Sequence, residues 1–156
     1  MFPRVLRFAL LPMALILIFA VIRFLMGPVF GAPYGPRANS ISVVVLTFVS
    51  TVMFGALSRR VGGFGWLGTA LVGLVIGLWS QLLIFTATAV SFAAHLNTFY
   101  THWDALNVPE GTAVTMAQAL TTRAGGLVTG SLMAAVLACA GRLLFGPLAP
   151  KPHAAD

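Results

Sequence analysis

The chain has 156 residues, of which 59% are hydrophobic and only 8% charged, with nine basic side chains against three acids. A soluble domain carries about 25% charged residues, so a water-exposed globule is excluded. The eight arginines and one lysine stand singly or in one pair, which is not the basic run or patch of a nucleic-acid surface. One cysteine, Cys139, excludes an internal disulfide, a CxxC redox pair and a multi-thiolate metal or iron–sulfur site.

Phe8 to Ile22 carries no charge, and with its flanks the first hydrophobic stretch covers about residues 5–26. At about 1.5 Å per residue such a helix reaches about 33 Å, enough for a hydrocarbon core of about 30 Å. Arg4 and Arg7 ahead of it also give the outline of a secretory signal, with Val29 to Ala32 as a cleavage region. Arg23, a charge between apolar run and cleavage region, favours a retained span. The second run, 41–58, is entered through Asn39 and Ser40 as helix caps and closed by Arg59 and Arg60. Its Val43, Val44, Val45, Thr47 and Val49 would favour a strand in water. In lipid an unpaired strand edge is prohibitive and the chain is too short and apolar for a barrel, so a helix is expected.

The third run, 64–94, is longer than a bilayer is thick and must tilt or project. The fourth, 124–145, is dominated by Gly, Ala and Ser until Arg142 and the Gly146–Pro147 stop. The expected fold class is an all-α integral membrane protein, one domain over residues 1–156, with four transmembrane helices in an up-down bundle. Between the third and fourth spans lies an outside segment, 95–123. Asn107, Val108, Pro109 and Glu110 resemble a helix start, and Ala113, Met116, Ala117 and Leu120 repeat at helical spacing. Helices three and four are therefore expected to continue into an outside helical hairpin that turns between about Asp104 and Pro109.

Arg4, Arg7, Arg59, Arg60, Arg142 and Lys151 fall on the side of the termini, against Arg23, Arg37 and Arg123 on the other. The positive-inside rule then puts both termini in the cytoplasm of a cell with an inner membrane, and the bias speaks against a dual-topology antiparallel dimer. Arg23 and Arg142, near span ends, are expected to snorkel. The first outside loop, Gly27 to Ser40, holds three prolines and three glycines and reads as a stiff turn-rich connection, and RRVGGFG as a tight inside hairpin.

Thr69, Gly73 and Gly77 recur every four residues on the third helix, as do Gly126, Gly130, Ala134 and Ala138 on the fourth. Small residues at this spacing let backbones approach closely in lipid, so these seven form the expected packing interface, within the chain or against a partner. Ser80 and Gln81, near the middle of the third span, are the candidates for a polar path, with interhelical hydrogen bonding as the simpler role. No Asp, Glu, Lys or His falls at mid-span, whereas coupled transporters usually show such groups.

His95, His102 and Asp104 are the candidate metal ligands. Seven residues of helix would separate the histidines by about 10.5 Å, so a shared metal requires the helix to break near Asn97 and Thr98. Ser131 lacks the flanking pattern and the base of a catalytic nucleophile, and Cys139 reads as a small apolar packer. No catalytic set and no cofactor is expected. The expected partners are the lipid bilayer and other membrane subunits or further copies of the chain, with no nucleic acid. The functional expectation is a small non-catalytic subunit, or an assembly or stabilising factor, of a larger inner-membrane complex. The alternatives are a small oligomeric channel or carrier, and a metal-handling or enzymatic site at the outer histidines with Glu110 nearby.

Overall fold

The computed structural model describes residues 1–34 and 42–150. Its helices are α1 (Phe2–Met26), α2 (Val43–Ser58), α3 (Trp66–Ala93) and α4 (Met116–Phe145), followed by a single 3-10 turn, Gly146–Leu148. Among the described residues there is no strand, and the valine-rich stretch is the helix α2. Phe2–Met26, Trp66–Ala93 and Met116–Leu148 are long and apolar enough to cross a membrane, and Val43–Ser58 is a shorter apolar helix. At about 1.5 Å per residue, the 16 residues of α2 reach about 24 Å. Asn39 and Ser40, expected as its caps, lie outside the described residues, as do Arg37 and Lys151.

Contacts at the two ends fix the up-down order. At one end Arg4 donates to the Gly62 carbonyl (3.4 Å), Arg142 to that of Phe64 (2.9 Å) and Arg60 to that of Ala149 (2.5 Å). At the other the Tyr100 hydroxyl donates to the Ala20 carbonyl (3.1 Å) and Arg123 to that of Ala105 (2.8 Å). The N-terminus, the 59–65 hairpin and the end of α4 therefore share one end. α2 and α3 each touch the other three helices, and the α3–α4 contact is the most extensive.

The interior is unusually rich in hydroxyls. Thr47, Thr51, Ser58, Thr69, Ser80, Thr88 and Ser91 are buried, while Leu10, Leu11, Ile18, Val49, Met53, Leu82, Val128, Leu132 and Val136 are exposed. Each buried hydroxyl is satisfied: Thr88 and Ser91 donate to carbonyls one turn earlier, and Thr47 lies 2.7 Å from Ser80 across α2 and α3. Exposed apolar side chains around an interior that mixes these hydroxyls with Val5, Ile16, Val72 and Ile76 fit a hydrocarbon solvent.

The small residues set the helix separations. A methyl group at Gly73 would collide with the Ala134 carbonyl of α4, and one at Gly77 would lie 2.6 Å from the Ala134 Cβ. A second close approach joins α2 to α4, where a Cβ at Gly55 would meet the Ala138 backbone and one at Gly141 that of Val52. At the end that holds the N-terminus Arg142 stacks 4.4 Å over the Trp66 ring and donates to Thr69 Oγ1 (2.8 Å). Thr69 is also 2.7 Å from Ser58 Oγ. Ser58 Oγ also lies 2.6 Å from the Gly55 carbonyl and Thr69 Oγ1 3.1 Å from that of Gly65, so the two hydroxyls share two hydrogens among three contacts.

The connection between α3 and α4 departs from the expected projecting hairpin. α3 stops at Ala93, and 94–115 contains no helix. His95 adopts φ +51°, and Asn107 (φ +56°) and Gly111 (φ +80°) also lie in the left-handed region, which interrupts a helix wherever it occurs. The start expected at Asn107 to Glu110 is replaced by a capping box eight residues on: Thr115 accepts from the Gln118 N–H, and Gln118 accepts from that of Thr115. Only α4 extends outward, and the segment before it folds back over the bundle.

Candidate functional site

The folded-back segment is anchored by its own hydroxyls and rings. Thr98 bonds Ser91 at the end of α3 (2.7 Å) and accepts from the Tyr100 N–H (3.2 Å). Asn97 and Thr98 press on the end of α1, where a Cβ at Gly27 would lie 2.5 Å from the Asn97 carbonyl. Phe99, Tyr100 and Leu106 are buried as a result. From the α1 side Tyr34 stacks on His102 (3.6 Å between ring centres) and meets Phe99 edge-on (4.9 Å). The Tyr34 hydroxyl donates to Asp104 Oδ2 across 3.0 Å.

Two arginines turn into this cap. Arg23 is only 7% exposed, with its guanidinium 5.6 Å from the Phe99 ring and 5.8 Å from that of Tyr100. Arg123, from the first turns of α4, donates through Nη2 to the Ala105 and Tyr100 carbonyls, while its buried Nε has no hydrogen-bond partner. Between them lies a cavity of about 210 Å³, walled by Arg23, Tyr34, Tyr100, Asp104, Asn107 and Arg123 and floored by α2 and α3 residues such as Val44 and Ile84. Burial pushes the Tyr100 phenol up to about 12 against the opposing pull of both arginines. Tyr34 is also raised, first by burial and then by its hydrogen bond to Asp104.

The candidate metal ligands are not brought together. His95 is exposed on its left-handed turn, whereas His102 is held by Tyr34 and its Nδ1 accepts from the Asp104 N–H (3.4 Å). Both histidines border an open hollow of about 650 Å³, while Asp104 faces the smaller cavity. Among the described residues no group of three or more His, Cys, Asp or Glu could hold a metal ion, and Glu110 is exposed on the loop.

The packing candidates divide into two sets. Gly73 and Gly77 of α3 lie against Ala134 and Ala138 of α4, and Thr69 binds Arg142. Gly126 and Gly130 instead receive the Gln81 side chain, whose Oε1 would lie 3.2 Å from a Cβ at Gly126. Ser80 is fully buried against Thr47, so the two residues considered for a polar path belong to helix contacts.

Sequence reasoning missed the inward turn of Arg23 and Arg123, reading Arg23 as a snorkelling end and Arg123 as a topology charge. The usable signal was the crowd of aromatics in the outer segments, since Tyr34, Phe99 and Tyr100 provide rings on which a guanidinium can rest. It missed Gly55 and Gly141 because each is a single glycine without a partner four residues away. Comparisons with protein-family models, with curated proteins and with solved structures find no match.

Proposed function

We propose that the chain is a small non-catalytic subunit, or an assembly or stabilising factor, of a larger inner-membrane complex, crossing the membrane four times with both termini cytoplasmic. The observation that carries the reading is a face of α4 left uncovered after the internal packing is complete. Ala117, Thr121, Gly125 and Thr129 are all exposed at four-residue spacing, and a Cβ added at Gly125 meets nothing within 4 Å. The threonines bond back to their own helix, Thr121 to the Ala117 carbonyl and Thr129 to that of Gly125. The ridge is therefore low, smooth and internally satisfied, which is the surface on which a second helix docks in lipid. It offers lipid few large apolar groups, so it anchors α4 weakly by itself.

Orientation draws on charge. Among the described residues Arg4, Arg7, Arg59, Arg60 and Arg142 gather at the end of the N-terminus, against Arg23 and Arg123 at the other. The test is site-specific photo-crosslinking from positions 125 and 129 in the native host, followed by mass determination of the particle. A crosslink to one other membrane protein in fixed stoichiometry is expected. Crosslinks to lipid alone, on a monomeric particle, overturn the reading.

A further inference from the structure

The cavity beneath the folded-back segment is lined by two arginines, Arg23 and Arg123, and, among the described residues, one carboxylate, Asp104. One oxygen of Asp104, Oδ2, already accepts from Tyr34. The bonds of Arg123 go to two carbonyls, which orient the guanidinium without neutralising it, and its Nε is left without an acceptor. A buried donor without a partner is destabilising by about 1–3 kcal/mol, more when charged. Two like charges on a shared cavity raise that penalty.

We propose that this cavity is a binding site for a phosphate-type oxyanion, with Arg23 and Arg123 as its cationic ligands. Guanidinium groups suit such an anion because their planar donors match tetrahedral oxygens and remain charged at any physiological pH. Asn107 and Ser42 add neutral polar groups to the wall, and about 210 Å³ is ample for the anion with accompanying water. Val44 and Ile84 form the apolar floor, which lowers the local dielectric and strengthens the attraction. The site lies at the end of the bundle where the four-crossing reading puts lipid headgroups. The oxyanion can therefore come from a phospholipid headgroup or from a soluble phosphate ester. Both present the same chemistry to the arginines.

The experiment uses the full chain in maltoside detergent micelles, which carry no phosphate, with thermal unfolding followed by tryptophan fluorescence. In one series inorganic phosphate is titrated against chloride at constant ionic strength; in the other phosphatidylglycerol is titrated into the micelles without inorganic phosphate. A rise in Tm of several degrees in at least one series is expected, with a loss of apparent affinity of about tenfold or more in Arg23→Gln and in Arg123→Gln. Response to phosphate assigns a soluble ester, and response to phosphatidylglycerol alone assigns the headgroup. Because Arg123 also holds the 94–115 segment, Val44→Trp is included; it fills the cavity, keeps both arginines and is expected to abolish the shift. No shift with either probe in the unsubstituted protein, or an undiminished shift in Val44→Trp, overturns the site.

Discussion

The Tyr100 hydroxyl donates to the Ala20 carbonyl across 3.1 Å, joining residues 80 positions apart and closing the irregular segment onto α1. A donor that reaches a helix carbonyl from outside the helix leaves the i to i−4 ladder in place and adds a tertiary clamp. Tyr100→Phe removes the clamp alone and is expected to destabilise the protein by about 1 kcal/mol. Tyr100→Ala also empties a buried ring site and should destabilise by about 3–5 kcal/mol. Thermal unfolding in detergent measures both, and limited proteolysis within 94–115 should accelerate in the same order.

The Tyr100 phenol titrates at about 12 against an ordinary 10. The fold favours the protonated form, so this contribution is complete below pH about 10 and is lost as pH rises through about 12. At about 1.36 kcal/mol per pH unit the full effect is on the order of a few kcal/mol. The unfolding midpoint should fall across that window, and Tyr100→Phe should flatten the fall. An unchanged slope in the variant would show that another group is responsible.

Gly73 and Gly125 both lie on the faces of helices and predict opposite outcomes. Gly73→Val drives a side chain into the Ala134 carbonyl, and a loss of about 2–3 kcal/mol or more is expected. Gly125→Ala faces open space and should be neutral or stabilising by up to about 1 kcal/mol through helix propensity. If the exposed ridge docks a partner, Gly125→Leu should abolish co-purification while leaving the Tm of the isolated chain unchanged within a degree or two.

Arg142 and Thr69 form a 2.8 Å bond between α4 and α3, and the Phe64 carbonyl shares the same Nη1 donor. Arg142→Gln should destabilise by about 1.5–3 kcal/mol, since a bond to a charged donor is lost. A double-mutant cycle with Thr69→Val should give a coupling of about 0.5–3 kcal/mol. Zero coupling would mean that the Phe64 carbonyl and the Trp66 ring carry the whole effect of Arg142.

The four helices were legible because each is built on an uncharged run, three of them closed by arginine and the third preceded by Arg60, and in lipid the backbone has no cheaper arrangement than a helix. The small-residue stripes of Gly73 and Gly77 and of Ala134 and Ala138 were legible from spacing, but spacing left open whether they meet each other or a partner. The cap was not. Whether Arg23 snorkels or turns inward depends on Phe99 and Tyr100, some 76 residues further on, and no local pattern carries that information. The misplaced start of α4 has a local cause: Pro109 and Glu110 imitate a first turn, but Asn107 and Gly111 on either side take left-handed angles that no periodicity reveals. The placement of the metal candidates was not legible for a related reason, since stacking on Tyr34 binds His102 into the cap.

The hydroxyl-lined interior bears on how the molecule responds to temperature. The curvature of a soluble protein's stability with temperature comes from the heat capacity of apolar surface newly met by water. Here many leucines and valines already face outward, and separating the helices in a micelle or bilayer uncovers Thr47, Ser80, Gly73 and Ala134 together with Val72 and Ile76, which then meet acyl chains rather than water. Calorimetry of helix separation should therefore show a small heat-capacity step, a nearly straight stability curve and no approach to cold denaturation near the freezing point. Gly and Ala at the α3–α4 contact have no rotamers to free, so the side-chain entropy gained on that separation should also be modest.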